Sequence, residues 1–109
     1  MARGVSRGEV WMFEFRRPDK LRPVLVLSRA EAIDALHTVV VAPITSTIRG
    51  IPSEVLVGEA EGLKHASAVN LDHLHTVEKT GLKQFLGTLR PARLREVCAS
   101  LAIALGCDD

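Results

Sequence analysis

Hydrophobicity along this chain changes period once, and that change limits the folds open to it. Up to Leu89 the apolar residues come in short runs of strand formers separated by proline, glycine and charge. From Leu94 onward they fall on a helical stripe. Residues 9–15 alternate, with Trp11, Phe13 and Phe15 to one side and Val10, Met12 and Glu14 to the other, and predict a first strand. Pro23, Val24, Leu25, Val26 and Leu27 form a continuous apolar run, as in a strand buried on both faces. The break between them, residues 16–21, holds Pro18 and four charges and predicts a connecting loop.

Ser28, with Glu31 three residues on, reads as the N-cap of a short helix reaching about Leu36. Residues 38–44 predict a third buried strand, ended by Pro43 and the hydroxyl residues Thr45, Ser46 and Thr47. Gly50 and Pro52 mark a turn before a strand over 54–57. Residues 58–65 read as polar loop, 66–71 as a strand and 83–89 as another. Leu94, Val97, Cys98, Leu101, Ala102 and Leu105 then make the stripe of an amphipathic helix, with Arg90 at its cap, Pro91 in its first turn and Gly106 at its end. Six or so short strands closed by one helix suggest a mainly β fold, a small, strongly curved sheet or partly open barrel.

A length of 109 residues, 47% hydrophobic and 25% charged, suits one domain with one core and excludes disorder, repeat arrays and rods. Residues 1–6 are expected to form a flexible tail. The formal net charge of +1 withholds the domain-wide basic excess common in nucleic-acid binders. It conceals a gradient: residues 1–29 carry seven basic and three acidic side chains, 30–78 two and seven, and 79–109 five and three. The front of the chain is basic. Cys98 and Cys107 make no disulfide framework and read as reduced thiols of a cytoplasmic protein. No apolar run is long enough to span a membrane, and no apolar leader precedes residue 9.

Among chemical motifs, the G-x-S-x-G elbow, the phosphate-binding glycine loop and H-E-x-x-H are absent, which removes the common hydrolase and nucleotide-binding readings. His73 and His75 would point the same way in a strand but have no third ligand at useful spacing, so neither metal nor cofactor is expected. Trp11, Phe13 and Phe15 could stack bases, although core packing or a dimer interface is the simpler use. Arg22 abuts a buried apolar run, where a charge must be paired or sit at the mouth of a cleft. Two readings stay open: an ion pair with Asp19 or Glu14, or an anion site exploiting the planar guanidinium.

Four segments, RGEVW (7–11), LRPVLVL (21–27), VAPITS (41–46) and SAVNLDHLHT (67–76), together resemble the MazF/PemK family of toxins in order and spacing, from about Arg7 to Gly106. The resemblance implies an SH3-like barrel with a C-terminal helix, a homodimer, and a metal-independent endoribonuclease that cuts single-stranded RNA and is restrained by a cognate antitoxin. That antitoxin is expected to be acidic and partly disordered. It also implies that Arg22, in the Arg-Pro-Val pattern, and Thr45, in the Ile-Thr-Ser pattern, are catalytic. The first loop is shorter than in many family members and lacks their glutamate ahead of the arginine, Asp19 being the nearest carboxylate. Arg16, Arg17 and Lys20 put positive charge there instead. Glu14, Asp72 and His73 are expected to contact bases, and Ser46 and Arg49 to complete the RNA surface. Two other functions compete: a CcdB-like gyrase-binding toxin without nuclease activity, whose Trp-Gly-Ile ending is absent from this chain, and a non-catalytic nucleic-acid-binding module.

Overall fold

A computed structural model describes residues 4–16 and 20–108. In chain order the elements are β1 (Glu9–Glu14), β2 (Leu21–Val26), α1 (Ala30–Ala35), β3 (Thr38–Thr45), β4 (Glu54–Val57), β5 (Ser67–Asn70), β6 (His75–Glu78), β7 (Leu82–Thr88) and α2 (Pro91–Ala104). Single 3-10 turns occupy Glu59–Glu61, inside the expected polar loop, and Lys79–Gly81. The strands form one antiparallel sheet in the order β4-β5-β3-β2-β1-β7, with β6 also on β3.

β3 organises the sheet. One of its edges takes β2, while the other is shared by β6, which pairs with Thr38 through Val41, and β5, which pairs with Ile44 and Thr45. Pro43 falls between those two partners, so its missing N–H interrupts neither ladder. This is why β3 runs through the proline to Thr45, one residue past its expected end.

The mainly β fold is as expected, and its pairings run as an open path: among the described residues no ladder joins β4 to β7 to close a barrel. The 3-10 turn after β4 meets β7 by direct backbone contact instead. A Cβ on Gly62 would clash with the Leu86 carbonyl, and one on Gly87 with the Glu61 carbonyl, so only glycine permits the approach. Gly62 also has a φ of 90°, in the left-handed region.

Alternation sorts the strands onto two apolar clusters. Leu25 and Leu27 enter one with Val10, Ala42, Ile44, Val69 and Val97, while Val24 and Val26 enter the other with Trp11, Phe13, Val39 and Val41. The continuous run of β2 is therefore buried on both faces, as expected. Helix α2 covers the first cluster through Val97, with Leu94, Leu101 and Ala104 packed around it. Cys98 and Leu105, expected on the same stripe, are exposed, because one sheet face beneath the helix accepts only a narrow line of side chains. The second cluster takes Ile33 of α1 and Val5.

Two caps and the N-terminus also depart from expectation. The N-cap of α1 is Arg29, without a side-chain cap bond, while the Ser28 hydroxyl accepts the Val40 N–H at 2.8 Å and serves the sheet. Of the expected tail, residues 1–3 lie outside the described residues. Val5 packs on the second cluster, and the Ser6 N–H donates to the Glu9 carboxylate at 2.8 Å. That buried carboxylate also accepts the Trp11 indole N–H at 3.0 Å, satisfying a donor that would otherwise be stranded in the core.

Candidate active site

The β2–β3 ladder ends at Val24 and Pro43, and Arg22 and Thr45, each two residues beyond it on its own strand, line the same two cavities. Arg22 is also paired with Phe13 of β1, which places it at the rim of the second apolar cluster. There the cluster gives way to an open cavity of about 750 Å³, whose wall includes Arg22, Thr45, Arg16, Lys20, Arg49 and His75. A second cavity, of about 410 Å³, also includes Arg22, Ile44 and Thr45, and continues through Ser46, Lys64, His65 and Gln84. The Arg22–Thr45 pair thus stands between two hollows.

Local structure orients each member. The Thr47 N–H donates to the Thr45 hydroxyl oxygen at 3.1 Å, a strand-end turn that occupies an acceptor lone pair and leaves the hydroxyl proton free to donate. The N–H groups of Arg49 and Gly50 both donate to Glu54 Oε1 at 3.0 Å, so the Glu54 carboxylate shapes the turn carrying Arg49. The Phe15 N–H donates to the Lys20 carbonyl at 3.1 Å and closes the hairpin that presents Arg16 and Lys20. Phe15 packs edge-on against Phe13 at 4.7 Å and against His75 at 5.7 Å. The aromatic stripe therefore divides: Trp11 and Phe13 are core, and Phe15 reaches the cavity wall.

Four cations, the hydroxyls of Thr45 and Thr47 and no carboxylate among the described lining residues give this wall the chemistry to take a polyanion, with the guanidinium suited to a phosphodiester. A sequence model of the PemK-like, MazF-like toxins of type II toxin-antitoxin systems matches residues 6–105. The chain belongs to that toxin family. It is 43% identical over 103 residues to the probable endoribonuclease MazF5 of Mycobacterium tuberculosis, covering 94% of both chains. It is 36% identical over 90 residues to the endoribonuclease MazF3 of the same species, covering 83% of this chain and 87% of that one. In structure it resembles the M. tuberculosis toxin MazF-mt6, with a TM-score of 0.84, 32% identity and coverage of 93% and 99%. A mycobacterial endoribonuclease solved with its cognate antitoxin also gives 0.84, at 30% identity and coverage of 94% and 95%.

In this MazF-like toxin the residues singled out from sequence are only partly gathered. Arg16, Lys20, Arg22, Thr45, Arg49 and His73 line the larger cavity and Ser46 the smaller. Arg17, and Asp19, one of the two ion-pair partners considered for Arg22, lie outside the described residues. Two expected base contacts are not in either cavity wall. Glu14 lies on the opposite face of β1 from Phe13 and pairs with Lys83 at 3.7 Å instead of with Arg22. Asp72 accepts from the Ser53 hydroxyl, and its N–H is held by Asn70 Oδ1 at 3.0 Å.

Thr47, Asn70 and His75 join the larger wall without having been expected there, and Lys64, His65 and Gln84 the smaller. His75 carried a signal in its two-residue spacing from His73, Thr47 in the hydroxyl run that starts at Thr45, and Asn70 in the 67–76 segment. Lys64, His65 and Gln84 arrive from separate segments with no local pattern to mark them. Cys98 and Cys107 are free and exposed, and no helix among the described residues is long and apolar enough to cross a membrane.

Proposed function

We propose that this toxin-family endoribonuclease cuts single-stranded RNA at the Arg22–Thr45 pair, by attack of the 2′-hydroxyl on the adjacent phosphorus, leaving a 2′,3′-cyclic phosphate and a 5′-hydroxyl. The observation that carries the reading is that a guanidinium and a hydroxyl, the latter with one acceptor lone pair already engaged, line both of two adjoining hollows. RNA supplies its own nucleophile, so the enzyme needs to hold an in-line geometry and stabilise charge on the phosphorane oxygens. Arg22 donates to the non-bridging oxygens, and the Thr45 hydroxyl donates to the same phosphate and orients it. Arg16, Lys20 and Arg49 track the neighbouring phosphates, and the two hollows take the nucleotides on either side. Arg22 acts through its charge rather than as a base.

A symmetric dimer lengthens the groove, and an acidic, partly disordered segment of the cognate antitoxin occupies the cationic cavity in the restrained state. The test is incubation of the purified protein with single-stranded RNA in excess chelator, with end-group analysis of the fragments. Cyclic phosphate ends produced at an undiminished rate are expected. Loss of cutting in chelator, restored by a divalent metal, would overturn the metal-independent mechanism.

A further inference from the structure

The reaction proposed above must take a proton from the 2′-hydroxyl, and the larger cavity offers few groups that can accept one. Arg16, Lys20, Arg22 and Arg49 are donors only. The Thr45 hydroxyl already accepts the Thr47 N–H. No carboxylate among the described residues lines the wall. Two imidazoles remain, those of His73 and His75.

The fold distinguishes them. His73 lies in the turn between β5 and β6. His75 opens β6 in register with Val41 of β3, and Val41, Pro43 and Thr45 share one face of that strand by alternation. Arg22 stands on the same face. The His75 ring meets the edge of Phe15, and Phe15 the edge of Phe13, so a line of aromatic contacts ties this imidazole to the buried second cluster. Its neighbours across the cavity are Arg16, Lys20, Arg22, Arg49 and His73, and the adjoining cavity beyond Phe15 carries Glu14, Glu78 and Lys83.

Resting on the ribonuclease reading, we propose that His75 is the general base of the reaction. An imidazole nitrogen takes the 2′-hydroxyl proton, the O2′–P bond forms, and the P–O5′ bond breaks. The departing O5′ takes a proton from solvent water, and the imidazolium returns its proton to the hydroxide left behind. Imidazole suits the step because it both accepts and releases a proton near neutrality.

The experiment measures single-turnover cleavage of single-stranded RNA from acid to mildly alkaline pH for wild type, His75→Gln, His73→Gln, Arg22→Ala and the control His37→Gln. Binding is read separately with 2′-O-methyl RNA, which cannot react. In wild type the rate should rise tenfold per pH unit on the acid side and then level. His75→Gln should lose that rise and about 10²–10⁴-fold in rate while binding the inert RNA as wild type does. His73→Gln should keep the acid-side rise, and His37→Gln the full profile. If His75→Gln folds poorly, His75→Ala with added imidazole carries the test, and recovery of cutting is expected. A wild-type profile and rate in His75→Gln, with Arg22→Ala inactive, would overturn this assignment and leave the ribonuclease reading standing. Loss of binding in step with loss of rate would overturn it too, since His75 would then hold RNA rather than move a proton. A wild-type protein that cuts no RNA would overturn both.

Discussion

Arg93 and Arg22 place the same guanidinium in opposite surroundings. Arg93, near the start of α2, lies 2.6 Å from the Glu96 carboxylate and 3.9 Å from Glu61, and donates to the Leu56 carbonyl of β4. Glu61 is itself buried and accepts the Gly58 N–H at 2.7 Å. This knot fastens the helix to the sheet, and its charges are spent on each other. Arg22 is exposed at the end of β2, in a wall whose described residues include three further cations and no carboxylate. The fold brings carboxylates to Arg93 and, among the described residues of its wall, none to Arg22.

Substitutions can break the contrast from either side, and the largest effect is expected at Arg22. Arg22→Ala should lower RNA cutting by about 10²–10³-fold, the usual loss when a donor to a developing oxyanion is removed. Its thermal midpoint should match wild type, because no buried contact is lost. A large fall in Tm would move Arg22 into the structural class.

Next in size is the backbone contact that brings the turn after β4 onto β7. Gly62→Ala adds a Cβ where the Leu86 carbonyl already sits and forces a left-handed φ on alanine. A fall in Tm of about 10 °C or more is expected in a melt followed by circular dichroism.

Arg93→Ala should cost about 2 kcal/mol in denaturant unfolding, since it leaves the buried Glu61 without its cation. Cutting per folded molecule should be unchanged. If Arg93→Ala abolished cutting in a protein that melts like wild type, the division between the two arginines would fail.

Salt gives a finer measure of the same division. Each phosphate neutralised on a single strand contributes about −0.7 to the slope of log affinity against log salt. Lys20→Ala and Arg49→Ala should each flatten the slope by about that amount, and Arg93→Ala should leave it alone. Smallest of all, Lys83→Ala removes an exposed ion pair with Glu14 and should change stability by less than about 0.5 kcal/mol.

Much of the fold was legible because alternation is a local property. The run from Val24 to Leu27 announced a strand covered on both sides, and its side chains do divide between the two clusters. The stripe from Leu94 announced α2, with Arg90 as its cap and Pro91 in its first turn. β6 was not legible. Only Val77 in it is apolar, and the strand exists because β3 has a free edge there that pairs Val39 with Val77. Ser28 looked like a cap by spacing, but the Val40 N–H, twelve residues away, claims its hydroxyl.

The candidate site shows the same limit. Arg22 and Thr45 could be named from their motifs, and both line the same two cavities. Glu14 and Asp72 were equally visible in the sequence, yet Lys83 and Ser53, from distant segments, take their carboxylates. The residues alone specified most of the strands, the C-terminal helix and the family, because spacing decides which side chains share a face. Which charges were left for a ligand, and that His75 would stand beside them, depended on contacts between segments tens of residues apart, and those form only when the sheet curls and β3 acquires its partners.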